Sequence, residues 1–162
     1  MPVKKLTSLA LLVALGTAAS VFSFPVAGAK IFPVQHAINV LAAVLFGPAS
    51  AVLVAFCIAL LRNLLGTGSI LAFPGGMFGA FAAGMFYRYS GRESVAAMGE
   101  VAGTGILGAL AAVPAARLLL GRDVLALAYV IPFTLSSFSG AVAGLLLLRF
   151  VVAPQKKSME RV

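Results

Sequence analysis

Side chains able to do chemistry are few in this sequence, and they concentrate in two places. Lys30, Gln35, His36 and Asn39 lie close together, and Arg62 and Asn63 follow at the end of the next apolar run. His36 and Asn39, three residues apart, share one face of any helix they occupy. Donors and acceptors from two segments therefore converge, an arrangement suited to holding a small polar ligand. The alternative for Lys30 is to snorkel to an interface or cap a helix end. The second place is Glu100, the only acid well inside an apolar run; a buried ionisable group of this kind marks a site or a structural ion pair. Ser136, Ser137 and Ser139 either face a cavity or bond back to their own helix carbonyls, the latter expected for at least two of them. A catalytic constellation is missing. The sequence has one His and one Cys, Cys57, with no paired carboxylates, no metal-ligand spacing, and no Lys following Gly66-Thr67-Gly68 as a phosphate loop requires. We expect a binding protein without enzyme activity, cofactor or metal.

The elements that carry these residues must sit in a bilayer. Of the 162 residues 62% are hydrophobic and 10% charged, with a mean hydropathy of +1.11, far too little charge to cover a water-facing surface. At roughly 20 apolar residues per crossing the chain holds about six spanning helices and leaves no room for a soluble domain, so residues 1–162 read as one all-α integral membrane bundle. The first apolar stretch runs from about Leu6 to Phe22 and the second helix from Pro33 to Phe46, ended by Gly47-Pro48. The third runs from Pro48 to about Leu65, the fourth from Gly75 to Tyr89, the fifth from Ser94 to Leu120, and the sixth from Leu125 to Val152. At 1.5 Å per residue the second helix covers only ~20 Å, so its polar start belongs in a cavity wall beneath a structured loop over Val26–Pro33. The apolar loop Ile70–Gly75 is expected to fold back into the bundle. Lys4 and Lys5 before Leu9–Ala19 resemble the start of a signal peptide, with Ala27-Gly28-Ala29 as a candidate cleavage site, but Leu6–Phe24 is long enough to span and is read as a retained first helix.

The net charge of +8 reports topology rather than a nucleic-acid partner, because the basic residues flank apolar runs and form no stripe with interleaved aromatics. With six crossings both termini share a side. That side holds Lys4, Lys5, Arg88, Arg92, Arg149, Lys156, Lys157 and Arg161, against Lys30, Arg62, Arg117 and Arg122 opposite. The bias places both termini, including the basic tail from about 153 to 162, in the cytoplasm of a multi-pass protein of the cell membrane. Gly75 and Gly79, Gly99 and Gly103, and Gly140 and Gly144 have the spacing that lets helix backbones meet in lipid. Ala10, Ala14 and Ala18 repeat it on the first helix and give a flat face on which an outside helix could dock. On this topology Glu100 lies about six residues from the cytoplasmic end of its helix, so Arg88 and Arg92 are candidate partners, as is Arg62 if the helices tilt.

Three motifs carry a family resemblance: Gly28-Ala29-Lys30-Ile31-Phe32-Pro33-Val34-Gln35-His36-Ala37-Ile38-Asn39-Val40, Leu61-Arg62-Asn63-Leu64-Leu65-Gly66-Thr67-Gly68 with Phe73-Pro74-Gly75, and Gly99-Glu100-Val101-Ala102-Gly103-Thr104-Gly105. Over about Lys5 to Val151 the chain resembles the ThiW family, substrate-binding S components of energy-coupling-factor (ECF) vitamin transporters assigned to the thiazole moiety of thiamin. The resemblance implies a six-helix S component with cytoplasmic termini and an outward-facing cavity capped by the loop between helices one and two. It also implies a membrane T component and two ABC-type ATPases as partners, with the S component toppling in the lipid to deliver its ligand. The family's Ala-x-x-x-Ala docking pattern matches Ala10, Ala14 and Ala18.

Hydroxyethylthiazole is small, aromatic and uncharged, so its cavity needs an apolar stacking surface and a few fixed hydrogen-bonding groups. We expect Phe32, Phe73, Tyr129 and Phe133 as walls, and His36, Asn39 and Asn63 on the ring nitrogen and hydroxyl, with Gln35, Arg62 and Glu100 close by. A neutral ligand gives Arg62 no task, and a phosphorylated one would use it differently. Other ligands in the same class are hydroxymethylpyrimidine and thiamin itself. A different class, a self-sufficient channel or secondary carrier, predicts uptake by this chain alone.

Overall fold

Prolines and glycines set the limits of the elements. In the computed structural model, which describes residues 2–26, 29–121, 125 and 127–152, helix α1 spans Val3–Ala18 and tightens into a 3₁₀ turn at Ala19–Val21. Strands β1 (Phe24–Val26) and β2 (Ala29–Ile31) then pair antiparallel, Phe24 opposite Ile31. The connection expected to be structured is thus a short hairpin. Pro33 opens α2 (Pro33–Phe46), where its missing N–H would have had no partner anyway. Gly47 adopts φ 84°, a left-handed turn that a side chain would strain, and Pro48 starts α3 (Pro48–Leu64).

Helix α4 runs from Ala72 to Ser90 and begins three residues earlier than the sequence reading placed it. Pro74 lies within its first turn, where backbone N–H groups lack helical acceptors, so the proline does not delay the helix. The expected fifth helix is one rod in three parts: α5 (Glu93–Ala102), a π-helical segment at Gly103–Gly108, and α6 (Ala109–Leu120). Glu93 in the first turn of α5 suits the positive end of the helix dipole. Helix α7 (Leu127–Leu147) continues into a second π-helical segment at Leu148–Val152. Ala27 and Gly28 of the candidate cleavage site, Arg122, Asp123 and the basic tail lie outside the described residues.

The bundle is apolar on the outside and polar within. Leu11, Leu53, Phe81, Phe138 and Leu146 are among many large exposed hydrophobic side chains, whereas Gln35, His36, Asn39, Arg62, Glu100 and Thr104 are buried. A water-soluble fold would do the reverse. Three helical stretches, Val3–Val21, Glu93–Leu120 and Leu127–Val151, are long and apolar enough to cross a membrane, and Pro33–Phe46 and Pro48–Leu64 are shorter apolar helices.

Because lipid is as apolar as leucine, packing and backbone approach must hold such helices together, and small residues supply both. A side chain at Gly103 would stand within 2.9 Å of Gly79, and one at Gly79 would strike Glu100 and Thr104, so α4 meets the α5 rod backbone to backbone. Gly140 and Gly144 let α7 lie directly against Pro33 and Ala37 of α2. The glycine spacings therefore serve internal packing, as expected. Leu9 of α1 joins Ile38, Val54 and Ile58 in the core shared by α1, α2, α3 and α4, while Ala10, Ala14 and Ala18 on the other side of α1 remain exposed.

Candidate ligand cavity

The start of α2 lies deep in the bundle. The Pro33 carbonyl packs against Gly140, thirteen residues along α7 from Leu127, or ~20 Å at 1.5 Å per residue. The Ser136 hydroxyl accepts the backbone N–H of Phe32 at 2.8 Å, which fixes the end of the hairpin to the middle of α7. The first turn of α2 therefore lines the floor of a cavity. The other walls come from the end of α3, the loop Thr67–Ser69, the first turns of α4, the π-helical segment and the start of α7.

This cavity measures about 280 Å³ and is lined by Lys30, Phe32, Gln35, His36, Arg62 and Thr104, by Tyr129, Phe133 and Ser136, and by Thr67, Gly68, Ser69, Leu71, Ala72, Gly75, Gly76 and Leu120. Its size lies near the lower end of small-molecule sites, roughly 300–1,000 Å³. The rings of Tyr129 and Phe133, 6.0 Å apart and inclined at 42°, form an aromatic wall. Opposite chemistry comes from Arg62, whose Nη1 donates to Gln35 Oε1 at 2.8 Å while its guanidinium lies 3.8 Å from the Phe32 ring centre. That bond leaves the Gln35 amide N–H groups available, and the Ser136 hydroxyl, which accepts from Phe32, keeps its own proton to donate.

Beneath the floor lies a network centred on Glu100, which is completely buried. Glu100 Oε1 lies 2.7 Å from His36 Nδ1 and accepts the Asn39 Nδ2 N–H at 3.1 Å. An ionised carboxylate only accepts, so with Glu100 as the carboxylate the proton of the short contact sits on His36 Nδ1. Nε2 is then the polar atom that His36 has left for the cavity. Asn39 also donates to the Gly76 carbonyl, and the Thr104 hydroxyl lies 3.1 Å from both Glu100 Oε1 and the Gly75 carbonyl, donating to one at a time. Glu100 thus orients the histidine and ties α2, α4 and the α5 rod together.

The structure brings some of the expected residues together and sets others apart. Phe32, Gln35, His36, Arg62, Tyr129 and Phe133 come together around the cavity, while Asn39 and Glu100 lie one layer below it. Glu100 pairs with His36, not with Arg88 or Arg92, which are exposed, nor with Arg62. The sunken start of α2 brings His36 level with Glu100, the seventh residue after Glu93. Phe73 is not a wall, since its ring packs on Phe56 at 5.6 Å. Asn63 donates to the Ala59 and Ser69 carbonyls and so fastens the 66–69 loop to the end of α3. Ser137 and Ser139 bond back to helix carbonyls and Ser136 alone reaches the cavity. Thr104 is a lining residue that sequence reasoning missed; its signal is the spacing of four from Glu100.

An apolar-coated helical bundle around a partly polar cavity defines a membrane protein with a small-molecule site. The family described as thiamine-precursor transporter protein (ThiW) matches over residues 6–153, nearly the whole chain. The protein belongs to the ThiW family and is a transporter of a thiamine precursor. No curated protein and no solved structure gives a match.

Proposed function

We propose that this chain is the substrate-binding S component of an ATP-driven ECF importer and that its ligand is hydroxyethylthiazole. The observation that carries the reading is the pairing, in one small cavity, of the Tyr129–Phe133 aromatic wall with hydrogen-bonding groups held in place from behind. A five-membered aromatic ring can stack on that wall. Its nitrogen and its hydroxyethyl group can take the Gln35 amide, the Ser136 hydroxyl and His36 Nε2. The chain in this reading crosses the membrane six times with both termini cytoplasmic, and the β1–β2 hairpin covers the cavity from outside. It performs no catalysis; ATP hydrolysis belongs to two partner ATPases joined through a T component. The exposed Ala10, Ala14 and Ala18 face supports docking by such a partner, because small side chains let another helix approach closely.

Calorimetric titration of the purified, detergent-solubilised chain with hydroxyethylthiazole, hydroxymethylpyrimidine and thiamin tests the ligand. Submicromolar binding of the thiazole alone is expected. Tight binding of thiamin or the pyrimidine without the thiazole would replace it as substrate within the same class. Uptake by proteoliposomes containing only this chain would contradict the S-component role and favour a self-sufficient carrier.

A further inference from the structure

Arg62 is a buried cation with no anion beside it among the described residues. It is 4% exposed, its Nε is buried without an acceptor, and its contacts are a neutral amide and an aromatic ring. Among the described residues the Glu100 carboxyl contacts His36 and leaves Arg62 out. A guanidinium does not give up its proton, so the charge stays, and an unpaired charge in a low-dielectric interior is among the least favourable arrangements a fold can carry. The Gln35 amide and the Phe32 face compensate only in part.

The surroundings strengthen the same field. Lys30 stands at the cavity as a second cation, and no acid lines the cavity among the described residues. Helices α2 and α4 both present their first turns to it, through Gln35 and His36 and through Ala72 and Gly75, and neither helix has an acidic residue in that turn. Each N-terminus adds the partial positive charge of a helix dipole. Glu100 makes no contact with Arg62: its Oε1 is taken by His36 and Asn39 below the floor, and its Oε2 is buried without a hydrogen-bond partner.

We infer that the cavity takes its aromatic ligand as an anion, a phosphate monoester seated on Arg62 with Lys30 at its edge. The inference rests on the thiamine-precursor reading above and specifies the ligand's charge: the hydroxyethyl arm of the thiazole carries the phosphate. An anion at the guanidinium edge that lines the cavity would accept the N–H groups left over from the Gln35 bond, which a neutral alcohol can do only weakly.

Calorimetry with hydroxyethylthiazole, its phosphate monoester and inorganic phosphate, on wild type, Arg62→Gln and Arg62→Lys, tests this. The ester should bind wild type at least about ten-fold more tightly than the alcohol, the gain expected of charge-assisted over neutral hydrogen bonds. The ester-to-alcohol ratio should collapse toward one in Arg62→Gln and persist in reduced form in Arg62→Lys. Equal or weaker binding of the ester by wild type, whether or not the variants fold, overturns the inference while leaving the thiamine-precursor reading intact. A preference that survives Arg62→Gln removes Arg62 from the role. Inorganic phosphate binding as tightly as the ester would show that the site holds the anion alone, and no binding by any of the three compounds overturns the inference together with the reading beneath it.

Discussion

The network below the cavity makes a quantitative prediction. Replacing Glu100 by Ala removes the acceptor shared by His36 Nδ1, Asn39 Nδ2 and, in part, the Thr104 hydroxyl. Asn39 retains the Gly76 carbonyl and Thr104 retains the Gly75 carbonyl, so only the His36 N–H is stranded. Leaving one buried donor unsatisfied costs about 1–3 kcal/mol, and the released imidazole no longer holds Nε2 toward the ligand. Affinity in Glu100→Ala should fall through loss of the hydrogen bond that the oriented Nε2 makes to the ligand, about 1–3 kcal/mol or roughly five- to 150-fold. His36→Ala should fall similarly, and the double variant should be little worse than either single one, because both remove the same oriented imidazole. The assay is a double-mutant cycle on the dissociation constant of hydroxyethylthiazole. A coupling energy of about 1–3 kcal/mol is expected for residues acting as one unit. Additive losses, or a Glu100→Ala protein that binds as wild type does, would refute the argument that Glu100 works through His36.

Three other outcomes follow from particular contacts. Asn63→Ala should lower thermal stability by about 0.5–1.5 kcal/mol, by freeing the 66–69 loop, with a smaller effect on affinity than His36→Ala; a melting curve identical to wild type would count against its fastening role. Gly79→Ala drives a methyl group into Glu100 and Thr104, so a loss of about 1–3 kcal/mol in stability should be accompanied by weaker binding, and unchanged values in both would show that α4 can back away from the α5 rod. Ala14→Leu should bind ligand normally yet abolish ATP-dependent uptake in proteoliposomes containing the partner subunits, because it fills the exposed face of α1; normal uptake would exclude that face from docking.

Much of the architecture was legible in the sequence because lipid punishes ambiguity. Pro33 and Gly47-Pro48 mark the ends of α2 where it begins and stops, and the glycine pairs mark where helices touch. The convergence of Gln35, His36 and Arg62 was legible for a similar reason: polar groups within apolar runs must find one another. What the sequence did not disclose was depth. A helix of 14 residues can begin at an interface or in the middle of a bundle, and only the anchoring of Phe32 to Ser136 and of Pro33 to Gly140 shows the latter. That one displacement explains why Glu100 meets His36 rather than Arg88 or Arg92. Asn63 and Phe73 were misassigned by the converse error, since both lie close in sequence to cavity residues but turn toward the local loop and toward Phe56.

The proposed function puts the precursor in the space between His36, Arg62 and the Tyr129–Phe133 wall. The thiazole ring carries a sulfur atom, so a long-wavelength diffraction experiment on crystals of the ligand-saturated protein can locate it by anomalous scattering, with the five methionines and Cys57 as internal references. One additional sulfur peak is expected inside the cavity, next to the Tyr129–Phe133 wall. A peak on the lipid-facing surface, or a saturated protein with no sulfur in the cavity, would contradict it.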